Sequence, residues 1–320
     1  MTWTPTHLPT QSGRTIVVTG ATAGIGYFAS EQLAAAGANV VLASRSASKL
    51  RVARAAILGQ VPDASVDSVV IELGSLASVD EAAAELAALP RLDGILLNGG
   101  AMTMSRVSRT ADGLPILLGT HVAANVRLLA GVLPALVASA TAHGGVGRVV
   151  HASTGFVGLV RYDLDDLGRI PWTGIGAYTK AKTATEVFAF ELDRRLRAAG
   201  LPVASVVTRP GVGVDAKTPP RPGIRDATTP YQRNPYTPWA QGKHTAAWAA
   251  VRALTDPAVQ GGEYYAPSGR LRGAPVAVPP LSRTATPPGD VAERVWRHLE
   301  QLAGAVIPLS AGSRPPAAAG

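Results

Sequence analysis

The sequence predicts a doubly wound α/β fold, with a parallel sheet covered by helices on both faces. Three observations lead to it. Short, continuously apolar runs rich in β-branched residues alternate with alanine-rich stretches of helical length over most of the 320 residues. Strands apolar on both sides must be covered on both faces, which is the environment of a parallel sheet. A glycine-rich turn joins the first run to the first helical stretch, and right-handed crossovers then place ligands at the carboxyl ends of the strands.

In chain order, TIVVT from Thr15 reads as a buried strand, and IGYFASEQLAAAG as a helix closed by Gly37. NVVLAS is the second strand and Lys49 to Leu58 a helix; SVVIEL is the third strand and Ser78 to Leu89 a helix, with Ser78 or Ser75 as its cap. GILLN is the fourth strand, followed by a long helix from about Gly119 to Ala142 that Pro134 should bend. GRVVHAS, a helix from about Gly176 to Ala199, and PVASVVT continue the alternation, which stops near Pro210. A helix near Thr245 to Leu254, a strand around Glu263 to Tyr265 and an amphipathic helix from Asp290 to Leu302 follow. The reading is one domain over residues 1–304, with a proline- and aromatic-rich lid or substrate loop at about 212–243 and a disordered tail over 305–320. No internal repeat is found.

Composition excludes several function classes. With no cysteine there are no disulfides, thiolate metal sites or cysteine nucleophiles. His7, His121, His143, His151, His244 and His298 form no H-x-x-x-H pair, so no metal site is expected. The net charge of +8 is spread along the chain without basic blocks interleaved with aromatics, which argues against nucleic acid. A polyanionic cofactor suits the same basic balance. The first residues lack the pattern of a signal peptide. The most apolar long stretch, Leu114 to Ala142, is interrupted by His121, Asn125 and Arg127, so no membrane span is expected and a cytoplasmic protein is.

The turn Thr19 to Gly26 reads TGATAGIG and has the chemistry of a phosphate cradle. Gly20 permits the tight turn, Gly24 lets backbone approach a pyrophosphate, and Gly26 allows close helix–strand packing above unpaired helix N–H groups. At the end of the second strand, ASRS places Arg45 where an arginine accommodates a 2′-phosphate and shows no acid nearby, favouring NADP. The alternative is a solvated surface arginine.

T-G-x-x-x-G-I-G resembles the short-chain dehydrogenase/reductase family, and further motifs follow in order. LDGILLNGGAM is similar to the segment usually written N-N-A-G, Tyr178 and Lys182 in AYTKAK match Y-x-x-x-K, and Arg209–Gly211 matches the proline-glycine after strand six. TADGL…LLGTHVAANVRLL, RYDLDDL and GGEYYAPSGRLRG resemble the retinol-dehydrogenase-like branch and its bacterial relatives. The resemblance implies a Rossmann fold that binds the cofactor through Gly20, Thr22, Gly24, Ile25, Gly26, Arg45, Glu72, Leu73, Asn98, Gly99, Gly100, Tyr178, Lys182, Pro210 and Gly211. It also implies homodimers or homotetramers.

Tyrosine and lysine four apart share a helix face, and an ammonium beside a phenol favours the phenolate. Tyr178 would pass the proton as general acid/base, and Lys182 would tune it and hold the nicotinamide ribose. In HAST, Thr154 holds the family's serine position, with Ser153 as the alternative. His121 stands where the family has a relay asparagine. It either enters the relay, through its carbonyl and ring N–H or by titrating near neutral pH, or merely fills a helix bend; Asn125 could reach the same region. Glu72 replaces the usual aspartate near the adenine, Gly99 replaces an asparagine, and Asp215 a threonine that contacts the carboxamide. The expected activity is NADP(H)-dependent hydride transfer between nicotinamide and a carbonyl or alcohol of a medium-sized apolar substrate. The alternatives are non-redox chemistry, such as cyclisation or dehydration, or a non-catalytic cofactor sensor.

Overall fold

The computed structural model describes residues 3–101, 103, 107–226 and 234–310. Its centre is an eight-stranded sheet built from β1 (Thr15–Thr19), β2 (Asn39–Ser44), β3 (Val66–Val70), β4 (Gly94–Leu97), β5 (Gly147–Ala152), β6 (Val203–Thr208), β9 (Tyr264–Pro267) and β10 (Pro275–Ala277). The spatial order is β10-β9-β6-β5-β4-β1-β2-β3. All neighbours are parallel except the β9–β10 pair, which closes one edge antiparallel. Strand order reverses between β1 and β4, so the carboxyl ends of those strands open a crevice of the kind that holds ligands in doubly wound sheets.

Alternate strand residues feed two cores. Val17, Val41, Ile95, Leu97 and Val149 pack under α3 (Leu76–Ala87), α4 (Ile116–Ala142), α5 (Gly174–Ala198) and α7 (Val291–Ala303). Ile16, Val18, Val40, Leu42 and Leu96 pack under α1 (Gly24–Ala35), α2 (Ala47–Gln60) and α6 (Trp248–Thr255). This is the period-two alternation of a sheet covered on both sides.

Several boundaries differ from expectation for local reasons. Ser75, not Ser78, caps α3 by accepting from the Ser78 N–H, while the Ser78 hydroxyl accepts from the Glu72 N–H. That bond draws Glu72 and Leu73 out of β3, which begins and ends earlier than the apolar run SVVIEL suggested. Helix α4 begins a turn earlier than read, at Ile116, and Gly119–Ala123 forms a π turn inside it. By length and composition α4 could cross a membrane, because Arg127 is its only charged residue; more than half of its most apolar stretch is nevertheless buried in this fold.

The first residues of the segment read as a disordered tail are packed. Ile307 is buried in the core and its N–H bonds Glu300, so residues 305–310 pack back on α7; residues 311–320 lie outside the described residues. The segment read as a lid contributes β7 (Gly213–Val214) and β8 (Gln241–Gly242), a small parallel pair, and its residues 227–233 lie outside the described ones.

Helices α3 and α4 meet closely at Gly131, where an added Cβ would lie 2.7 Å from the Ala83 Cβ. Gly131→Leu should wedge them apart and cost about 1–3 kcal/mol in denaturant unfolding. Gly59 in α2 faces open space, so Gly59→Ala should stabilise by up to about 1 kcal/mol. Equal midpoints for both variants would contradict this packing.

Candidate active site

The nucleotide end is assembled from backbone that approaches too closely for side chains. A Cβ on Gly26 would overlap the Gly20 carbonyl, and one on Gly20 would sit 2.9 Å from the Gly99 Cα. Gly20 and Gly24 also have positive φ, at 68° and 58°. Thr19 ties the turn to the end of β4: its hydroxyl accepts from the Asn98 and Gly99 N–H groups at 3.0 and 2.9 Å, and its carbonyl accepts from the Asn98 amide at 3.1 Å. Helix α1 starts with no capping side chain, whereas α2, α3 and α5 are capped by Ser46, Ser75 and Thr173. Its first N–H groups therefore remain available to an anion.

Around this turn, the Thr22 hydroxyl lies 3.3 Å from that of Ser44, Ile25 packs on the core, and Leu73 lies against Gly99. Arg45 is exposed at the end of β2, but the acid-free surroundings read from the sequence are not found: Glu72 lies 3.7 Å away. The loop from Glu72 to Gly74 folds back through Glu72 Oε1, which accepts from the Gly74 N–H and brings the carboxylate across to β2. Pro210 and Gly211 follow β6; Gln241 donates to the Pro210 carbonyl, and Gly211 (φ 69°) has no room for a Cβ beside Leu271.

The chemical end sits on the neighbouring strands. Tyr178 and Lys182 occupy adjacent turns of α5, with the Lys182 ammonium 5.9 Å from the Tyr178 ring centre. Lys182 donates to the Ala152 carbonyl at 2.6 Å, which fixes it at the end of β5. Burial pushes it down to about 8, opposed by nearby Glu186, so it is chiefly an ammonium at neutral pH. Tyr178 does not show the lowered pKa expected beside a lysine. Burial raises its phenol above the ordinary value, and hydrogen bonding with Thr154 only partly offsets this. The phenol is the stable form.

Thr154, the residue favoured by sequence, and its alternative Ser153 have different partners. The Ser153 hydroxyl donates to Glu186 at 2.6 Å in the interior, while Thr154 interacts with Tyr178. Glu186 itself was missed. It is fully buried on α5, one turn beyond Lys182, and also accepts from Tyr264 and Thr284 at 3.0 Å each. Burial raises its pKa, and those three hydroxyls lower it. An acid at Tyr178 + 8 on an apolar helix face was the available signal.

His121 stacks edge-on against Tyr178, ring centres 5.3 Å apart, and its Nε2 lies 3.0 Å from the Ala101 carbonyl. Only the absence of a side chain at Gly100 admits the ring, because a Cβ there would overlap it. The His121 carbonyl accepts from Asn125 at 2.8 Å, while His121 Nδ1 and Asn125 Oδ1 are buried without partners among the described residues. Burial, reinforced by the Lys182 charge, holds His121 at about 3. His121 therefore stands neutral at neutral pH. Asp215 pairs with Lys243 at 2.6 Å.

Comparison with known proteins gives a consistent result. The family model "short chain dehydrogenase" matches residues 14–218. The chain is 36% identical to mouse (Mus musculus) polyprenol dehydrogenase over 211 residues, covering 65% of this chain and 62% of that protein. It is 31% identical to human (Homo sapiens) retinol dehydrogenase 13 over 202 residues, 62% of this chain and 59% of that protein. The matches thus span about three fifths of these relatives' own length. A crystal structure from Mycobacterium paratuberculosis superposes with a TM-score of 0.75 at 25% identity, covering 96% of this chain and all of that one.

His121 and a second buried histidine, His151, are both depressed to about 3, against about 6.5 when unfolded. Between those values the unfolded chain binds more protons, so stability is lost as pH falls through that window. Melting temperature should fall from about pH 7 to pH 5, and less steeply in His121→Asn. Identical slopes in the two proteins would mean that His121 ionises normally in the fold.

Proposed function

The chain belongs to the short-chain dehydrogenase/reductase family, and on that premise we propose that it is an NADP(H)-dependent oxidoreductase acting on a carbonyl or alcohol of a medium-sized apolar substrate. The observation that carries this is the convergence of Tyr178, Lys182 and Thr154 beside the glycine turn, at the carboxyl end of one parallel sheet.

The cofactor reading is supported by the cradle. Gly20, Gly24 and Gly26 leave space that any Cβ would narrow or strain, under the uncapped start of α1. Thr22, Ile25, Asn98, Gly99, Gly100, Leu73, Pro210 and Gly211 would line the bound dinucleotide, and Lys182 would reach its ribose. Arg45 favours NADP because a guanidinium matches a 2′-phosphate bidentately. Its pairing with Glu72 is solvent-exposed, which makes it weak and exchangeable. When bound, the cofactor supplies or accepts the hydride.

The chain's residues handle the proton. In carbonyl reduction the Tyr178 O–H donates to the substrate oxygen as the carbonyl carbon gains hydride, leaving a phenolate. The Thr154 hydroxyl and the Lys182 ammonium stabilise that phenolate. A phenol kept protonated by burial starts in the state that reduction needs. Alcohol oxidation runs the same transfer backwards and requires the phenolate first. Ser153, engaged by Glu186, holds the base of the site and leaves Thr154 as the substrate-facing hydroxyl. Neutral His121 packs on the Tyr178 ring and restricts its position. The apolar substrate class is drawn from the retinol- and polyprenol-dehydrogenase relatives.

Tyr178→Phe keeps the ring and removes the proton, so turnover should fall by about 10²–10⁴ with cofactor affinity nearly unchanged. NADPH consumption against a panel of apolar aldehydes and ketones measures it, and full activity in the variant would sink the redox assignment. Arg45→Ala should weaken NADPH by about 1.5–3 kcal/mol and NADH hardly at all. Equal affinity of the unmodified protein for both cofactors, measured by titration, would refute the NADP preference.

A further inference from the structure

We infer that Lys243 is a cofactor-binding residue, placing an ammonium over the glycine-rich turn to pair with the pyrophosphate of the dinucleotide. This rests on the reading of the turn as a dinucleotide cradle. Lys243 lies more than two hundred residues beyond that turn, outside any motif, and only the fold brings it there.

The placement is built in steps. β7 and β8 pair Gly213–Val214 with Gln241–Gly242, and Lys243 follows directly as the start of a short helical turn. Its N–H is held by the Thr218 hydroxyl at 2.8 Å. Gly213 makes room for it, since a Cβ there would lie 3.4 Å from both its Cα and Cγ. The aliphatic stem then crosses the cradle: the Cβ position of Gly24 is 3.7 Å from the Lys243 Cδ. The ammonium, two bonds further, stands at the rim of the turn that opens α1.

The segment carrying Lys243 is strapped to α1 itself. Arg221 donates to Glu31 of α1 through Nε and Nη2 at 2.7 and 2.8 Å, Gln32 donates to the His244 carbonyl at 2.8 Å, and the His244 ring packs edge-on against Phe28. Lys243 thus has a fixed position relative to the positive end of that helix.

The charge count points the same way. Asp215 is paired with Lys243 at 2.6 Å and with Arg225 at 3.6 Å. Among the described residues one carboxylate serves these two cations, which leaves one positive charge in excess beside uncapped helix N–H groups. A pyrophosphate complements that excess, and lysine suits the task as a flexible point charge. The pyrophosphate is common to NADH and NADPH, whereas Arg45 lies at the 2′-phosphate end. The two cations therefore separate by experiment.

Binding is read from the fluorescence of NADPH and NADH titrated with the full chain. Lys243→Met should raise both dissociation constants about ten- to hundredfold, the range of a charge-assisted hydrogen bond, while Arg45→Ala raises that for NADPH alone. On the unmodified protein, either cofactor at saturation should slow acetylation of Lys243, followed by mass spectrometry. Unchanged dissociation constants in a folded Lys243→Met, a loss confined to NADPH, or acetylation indifferent to cofactor would each overturn the assignment. If Arg45→Ala still shows its selective loss in those cases, the cofactor reading stands and only the role of Lys243 falls. Failure of the unmodified chain to bind either dinucleotide overturns both.

Discussion

The close approach of two backbone turns at the carboxyl edge of the sheet is the constraint on which the site depends. Thr19 ends β1 and binds the two N–H groups that follow β4, so the glycine turn and the Asn98–Gly100 stretch are held in contact. A single added methyl at Gly20, Gly26 or Gly99 would fall within 3 Å of a neighbour, and at Gly20 and Gly26 that neighbour is backbone. Because both turns sit where strand order reverses, this contact also bears on the distance between the glycine turn and α5, the helix that carries Tyr178 and Lys182. Packing here is functional geometry as much as stability.

Low polarity then decides the protonation states. Burial keeps the Tyr178 phenol protonated, holds His121 neutral and brings Lys182 down to about 8. At neutral pH this end of the site therefore carries chiefly the Lys182 ammonium, anchored on the Ala152 carbonyl, with the Glu186 carboxyl behind it. Glu186 serves this arrangement from behind. By accepting from Ser153, Tyr264 and Thr284 it ties β5, β9 and the short turn Ser282–Ala285 to α5, and so fixes the helix that carries Tyr178 and Lys182. His121 depends on Gly100: its ring occupies the volume that a side chain at position 100 would need. A π turn in α4 presents that ring to Tyr178, in keeping with the habit of such turns to occur at functional sites.

The segment after β6, which its prolines and aromatics mark as a lid or substrate loop, is anchored to α1 in its described parts, by Arg221 to Glu31 and by Gln32 to the His244 carbonyl. It is a strap beside the nucleotide turn, and its cations Lys243 and Arg225 share Asp215 there.

The sequence by itself determined the strand–helix alternation, the glycine turn, and the pairing of Tyr178 with Lys182. Each is a local pattern: apolar period, residues at fixed spacing within one turn, or two positions on one helix face. It preferred Thr154 to Ser153 but could not show what holds Ser153 instead, the buried Glu186 carboxyl on α5. Nor could it give the His121 protonation state, the Glu72 carboxylate beside Arg45, or Lys243 over Gly24. Those depend on burial and on contacts between segments tens to hundreds of residues apart. Ionisation energy and charge pairing follow distance in space, and the spacing of residues along the chain carries no record of it.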